Sequence, residues 1–166
     1  MCYLLFHLFI IDKNIKKIIA KLTKKKIKVA VAESCTGGML AQCITSVNGA
    51  SRVFSFGIVT YSNQSKIKYL KVPYKIIKNN GAVSEECCRS MLVNLAKISK
   101  AKLNLAITGI AGPGGGTKQK PVGLVYIGII KNKQIEIKKY LFLKKNRENI
   151  RKSSVKKSLE LIIKFI

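Results

Sequence analysis

The sequence predicts an α/β protein, a three-layer α/β/α sandwich around a mixed sheet. Helical and strand patterns alternate through the first two thirds of the chain, the signature of parallel strands joined by helical crossovers. A strand–turn–strand pattern follows late, which adds antiparallel strands to the same sheet. Three segments of small and polar residues each close a predicted strand: Ala32–Gly38 (AESCTGG), Thr60–Lys66 (TYSNQSK) and Thr108–Thr117 (TGIAGPGGGT).

Each element follows from its pattern. Over Phe9–Leu22, apolar Ile11, Ile15, Ile18, Ile19 and Leu22 recur at helical spacing with lysines between them. Ile27–Ala32 is a short β-rich run. Gly37–Val47 predicts a helix closed by Asn48-Gly49, and Val53–Tyr61 a strand. Ser65–Leu70 predicts a helix stopped before Pro73, and Pro73–Asn80 another ended by Gly81. Ser84 is an N-cap for a helix reaching about Lys100, with Glu85 and Glu86 in its first turn, where the dipole favours them. Leu103–Thr108 is a strand running into the glycine loop. Val122–Lys131 and Gln134–Leu143 form a hairpin about Asn132-Lys133. Glu148–Ile166 closes the chain as an amphipathic helix with Ile150, Val155, Leu159, Ile162 and Ile163 on one side.

The 166 residues amount to a single domain, read as an extension and first helix over 1–26 packed on a body over 27–166. Met1–Ile11 is apolar but lacks a basic start and a small-residue cleavage site, and it is shorter than the ~20 residues that a membrane helix needs. No other segment is a membrane span. Five cysteines, an odd number with two adjacent at Cys87-Cys88, argue against a disulfide scaffold. They contain no CxxC pair and no Cys/His cluster. A reducing cytoplasm and no metal are the expectation.

The net charge of +25 raises the question of nucleic acid. Of the 32 basic residues, 28 are lysine and 4 arginine, dispersed along a chain that is also rich in Ile and Asn. That pattern fits drift towards AT-rich codons. The expectation is weak, salt-sensitive adhesion to RNA without a specific nucleic-acid partner.

Chemistry is concentrated in the three strand-end segments. Ser34 follows a strand and precedes Gly37-Gly38 and a helix, where free N–H groups can bind a phosphate or hold an oxyanion. The competing role for Ser34 or Thr36 is a helix cap. A serine nucleophile needs a base. The single His7 lies far from every glycine-rich segment, and the seven acidic residues form no recognisable pair. Lysine remains, since burial and positive surroundings can bring its pKa towards neutrality. Lys66, in Tyr-Ser-Asn-x-x-Lys at the end of a strand, is the candidate, with Tyr61 able to relay the proton; without that setting Lys66 reads as one surface lysine among 28 and Tyr61 as a core aromatic with its hydroxyl satisfied. Five glycines within Gly109–Gly116 suit a binding loop. The loop is neither a P-loop nor GxGxxG. Arg147 and Arg151 are rare arginines in a lysine-rich chain, suited to a phosphate or carboxylate or simply to a helix face. Cys35 is a rival nucleophile without a histidine to form its thiolate.

These segments resemble the C-terminal domain of the CinA family, which also occurs as stand-alone nicotinamide-nucleotide amidohydrolases. The resemblance rests on AESCTGG, on GIVTYSN with Lys66, on NGAVSEE (Asn80–Glu86), and on TGIAGPGGGT with KPVG (Lys120–Gly123). It runs from about Val29 to Arg151. It implies an α/β/α fold, a homodimer, no cofactor, and deamidation of nicotinamide mononucleotide to nicotinic acid mononucleotide with release of ammonia. On matching positions it implies Ser34 as nucleophile, with Tyr61 and Lys66 as its activating partners, and Thr108 and Arg147 at the substrate. Thr36, Gly37 and Gly38 at the helix start and Gly109, Gly112, Gly114 and Gly115 in the loop complete the expected binding set. The chain departs from the family at Phe56, where a glycine is usual, and at Lys145-Asn146, where Gly-Asp is usual. The alternative to an amidase is a decayed enzyme that binds a nucleotide without turning it over and carries a basic surface.

Overall fold

The computed structural model describes residues 14–166. The predicted helix start at Phe9, the extension Met1–Ile10 and His7 lie outside the described residues. The elements are α1 (14–24), β1 (Val29–Glu33), α2 (Met39–Thr45), a 3-10 turn (Ala50–Arg52), β2 (Phe54–Val59), α3 (Asn63–Leu70), α4 (Tyr74–Asn80), α5 (Glu85–Ser99), β3 (Leu103–Gly109), β4 (Leu124–Lys131), β5 (Gln134–Leu141) and α6 (Arg147–Phe165).

One mixed sheet runs β2-β1-β3-β4-β5. β1 pairs in parallel with β2 and β3, whereas β3/β4 and β4/β5 are antiparallel. The late hairpin is therefore β4–β5, turning at Asn132, whose φ of 56° is left-handed.

The alternation of β1 shows how the layers form. Val29 and Val31 face a core shared with Ile15, Ile18, Ile19 and Leu22 of α1, Leu40 and Ile44 of α2, and Ile150, Leu159 and Ile162 of α6. Ala30 and Ala32 face the other core, shared with Leu70, Ile77, and Cys88, Met91, Leu92 and Leu95 from α3, α4 and α5. Helices thus cover both faces, giving the α/β/α sandwich. Small residues bring α5 close to the sheet: a Cβ on Gly128 would lie 3.1 Å from Leu92 Cδ2 and 3.2 Å from Cys88 Sγ. Among the described residues no helix is long and apolar enough to cross a membrane.

Caps match their chemistry. Ser62, Ser84 and Asn146 each accept a backbone N–H, from Ser65, Cys87 and Asn149. Two expectations need correction. α2 begins at Met39, not Gly37, because Gly37 and Gly38 hold φ of 59° and 91°, outside right-handed helical space. Ile163 is 43% exposed rather than on the buried side of α6. The buried stripe runs through Ser154 and Ser158, which donate back to the carbonyls of Ile150 and Ser154. Ile163 stands across the helix from Leu161, two residues away.

Candidate active site

Topology gathers the three strand-end segments. β1, β2 and β3 are parallel, so their C-terminal ends share one end of the sheet. The chain leaves β1 for α2 on one face and leaves β2 for α3 on the other, a switch point where open α/β sheets form a crevice. Ser34 leaves β1, Thr60 and Tyr61 leave β2, and Thr108 is the last residue but one of β3, which ends at Gly109 in the glycine loop.

Ser34 and Lys66 are brought into contact. Lys66 Nζ lies 2.9 Å from Ser34 Oγ, 2.8 Å from the Thr60 carbonyl and 3.2 Å from the Tyr61 carbonyl. α3 delivers the lysine one turn after its Ser62 cap, pointing inward; the residue is 1% exposed. Burial pushes its pKa below the ordinary lysine value. A neutral amine fits this cage: two N–H groups serve the two carbonyls and the lone pair accepts the serine hydroxyl.

The Tyr61 hydroxyl is not part of that contact. Its backbone carbonyl holds Lys66, while its exposed phenol accepts from Arg147 Nη2 at 2.7 Å. Lys66 reaches Ser34 directly, so no relay through the phenol lies between them. Arg147, the first residue of α6, also donates from Nη1 to the Gly112 carbonyl at 2.7 Å, joining the glycine loop to Tyr61. Thr108 is buried and donates to the Ala82 carbonyl at 2.7 Å, tying β3 to the turn before α5.

The glycines differ in purpose. A Cβ on Gly109 would sit 2.7 Å from Val125 Cγ2 and 2.8 Å from the Leu124 carbonyl, so packing demands glycine there. At Gly114 a Cβ would meet nothing within 4 Å, and the loop is open. Gly112 and Gly115 hold φ of 75° and 82°.

The Ser34 turn is held in a way that the sequence reading missed. Neither Ser34 nor Thr36 caps α2. The buried carboxylate of Glu33 accepts from the N–H groups of Gly38 at 3.1 Å, Leu40 at 3.0 Å and Ala41 at 2.8 Å. Gly38 is thereby removed from the expected anion cradle. From the other side Arg151 Nη2 donates to the Thr36 carbonyl at 2.7 Å, and a Cβ on Gly37 would lie 3.3 Å from that nitrogen. Thr36 is buried, and its hydroxyl has no partner among the described residues. An acidic residue ending an otherwise apolar strand just before a helix is the signal that could have found Glu33.

Cys35 is buried, and burial pushes its thiol up to about 12. No thiolate nucleophile forms there near neutral pH. Among the described residues no three His, Cys, Asp or Glu side chains gather as metal ligands.

Comparison with known proteins gives the family and the fold. The CinA C-terminal domain model matches residues 11–166. A competence-damage inducible protein of Alkaliphilus metalliredigens is 46% identical over 152 residues, 91% of this chain and 37% of the relative. One from Thermoanaerobacter pseudethanolicus is 43% identical over 156 residues, 93% of this chain and 38% of the relative. The chain thus spans less than two fifths of the length of these relatives. Among solved structures, competence/damage inducible protein CihA from Agrobacterium tumefaciens superposes with a TM-score of 0.90 at 36% identity, covering 92% of this chain and 93% of that one. A CinA superfamily protein from Escherichia coli gives 0.89 at 26% identity, covering 94% and 90%.

Proposed function

The chain belongs to the CinA C-terminal domain family, and from that premise we propose that it is a serine amidohydrolase acting on nicotinamide mononucleotide. The observation that carries the reading is the buried 2.9 Å contact between Lys66 Nζ and Ser34 Oγ. A buried lysine, its pKa lowered by burial and its amine on a strand-end serine, is the arrangement that a general base requires.

The chemistry follows from the cage. Ser34 Oγ attacks the carboxamide carbon as its proton passes to Lys66 Nζ. Negative charge develops on the carboxamide oxygen. In the Ser34 turn, the Gly37 N–H is engaged with the Ser34 carbonyl, Gly38 with Glu33, and Met39 with the Thr36 carbonyl. The Cys35 N–H faces its own thiol, so the Thr36 N–H is the donor left in this turn for the oxyanion. Lys66 then gives its proton to the leaving nitrogen, the C–N bond breaks and ammonia departs. Water, deprotonated by Lys66, cleaves the acyl-serine to the carboxylate, and the proton returns to Ser34. Arg147 and the open part of the glycine loop are the groups for the ribose phosphate, since Glu33 already fills the amide cluster at α2.

The test is ammonia release from nicotinamide mononucleotide by the purified chain beside Ser34→Ala. Turnover by the native chain and none by the variant is expected. Equal turnover by both would remove Ser34 from the mechanism.

A further inference from the structure

We infer that Glu33 is a positioning residue for the Ser34 nucleophile, acting as a built-in anion that closes the start of α2. The inference rests on the amidase reading of Ser34.

A fully buried carboxylate is costly unless its oxygens are satisfied. Here both are used, Oε2 by Gly38 and Leu40 and Oε1 by Ala41. The positive φ of Gly37 and Gly38 turns the chain back so that these N–H groups face the strand that precedes them. Residues 34–37 therefore form a short closed turn, fastened at both ends to a single side chain. The backbone of Glu33 extends the fastening. Its carbonyl accepts the Thr60 N–H at 2.8 Å, and the next N–H, that of Ser34, is bound to the Ile107 carbonyl at 3.0 Å. Thr60 in turn offers its own carbonyl to Lys66. Glu33 thus links the nucleophile, the N-terminus of α2 and the strand end that seats the base. An uncharged isostere cannot do the same: an amide in place of the carboxylate turns a donor towards N–H groups that need acceptors.

The experiment measures Ser34 reactivity apart from any natural substrate. A small alkyl fluorophosphonate forms an Oγ–P bond at Ser34 as fluoride leaves and Lys66 takes the proton. The labelling rate is followed by mass spectrometry for the full native chain and for Glu33→Gln. The two are compared per folded molecule at the high-pH plateau, where Lys66 is neutral. A displaced turn should slow Glu33→Gln about 100-fold, the loss expected from a misplacement of about 1 Å. A role in stability alone would lower the melting temperature and leave this plateau at the native rate, which overturns the inference. No labelling of Ser34 in the native chain would overturn the amidase reading and this inference with it. If Glu33→Gln does not fold, hydrogen exchange on the native chain decides. Leu40 and Ala41 occupy the first turn of α2, where amides lack helical acceptors and exchange freely. Strong protection of both is expected, and exchange at loop rates overturns the assignment.

Discussion

Replacing Lys66 by Met keeps most of the bulk of the side chain and removes the amine. In the native cage the ammonium form donates to Ser34 Oγ, Thr60 O and Tyr61 O and leaves no lone pair for the serine proton. Only the neutral amine can act as base. The native rate should therefore rise with pH and level off above the folded pKa, which burial places below the ordinary 10.5. Stability should follow the same direction. Between the depressed folded pKa and the unfolded value the unfolded chain holds the extra proton, so stability climbs with pH through that window. The gain is about 1.4 kcal/mol for each unit of depression. Below the folded pKa both states are protonated and the penalty is constant. Lys66→Met should lose about 10²–10⁴-fold in rate, or about 3–5 kcal/mol of barrier. It should also lose the pH slope in both readouts. Its net stability near neutrality reflects two opposed effects, relief of a buried amine and two carbonyls left without a donor at about 1–3 kcal/mol each. The slope, not the midpoint, is therefore the diagnostic. Initial rates of ammonia release and urea melts from about pH 6 to about pH 10 measure both. A native rate that is flat or falling with pH, or a Lys66→Met variant keeping more than about a tenth of native activity, would refute the reasoning.

Three further outcomes follow from the geometry. Arg147→Ala removes the guanidinium between Tyr61 and Gly112; KM for the nucleotide should rise about 10–100-fold with a smaller change in kcat, and the dephosphorylated nucleoside should show little change. Gly109→Ala drives a methyl into the Leu124 backbone and Val125 and should cost about 1–3 kcal/mol in a denaturant melt, whereas Gly114→Ala, with open space around it, should stay within about 0.5 kcal/mol. Cys35→Ala should retain turnover, because the buried thiol, pushed up to about 12, supplies no nucleophile; loss of the acyl intermediate in that variant alone would reverse the assignment of Ser34.

Much of the fold was legible because its signals are periodic. Val29 and Val31 alternate with Ala30 and Ala32, and each pair lies in a different core. What was missed is local backbone conformation, as at Gly37 and Gly38, or polar residues on a buried stripe, as at Ser154 and Ser158. The candidate site was legible in part for a similar reason. Ser34 and the glycine loop stand out by composition, but Lys66 is one lysine among 28, marked in the sequence only by its Tyr-Ser-Asn-x-x-Lys setting, and the inward turn of α3 is what brings it to Ser34. No relay through Tyr61 lies between Lys66 and Ser34, because beyond β2 that phenol meets Arg147 while α3 returns Lys66 to the Tyr61 backbone carbonyl and to Ser34. Glu33 left little residue-type signature, since its partners are backbone amides that any sequence carries.

The departures from the family pattern bear on whether the site has decayed. Asn146 caps α6 through its side-chain oxygen, the role that an aspartate at that place would serve, so Arg147 keeps its place at the first turn. Lys145 points away, donating to Ser153 Oγ at 2.7 Å with its Nζ 5.5 Å from the centre of the Phe142 ring. Phe56 is partly buried against the core that β1 shares with α3, α4 and α5, and Gly57 remains glycine where a Cβ would lie 2.9 Å from the Phe54 ring. None of the three touches Ser34, Lys66 or the turn that Glu33 closes. A lysine 1% exposed on a serine hydroxyl is what a general base needs and what nucleotide binding alone does not use. Retention of that pair favours turnover over mere binding.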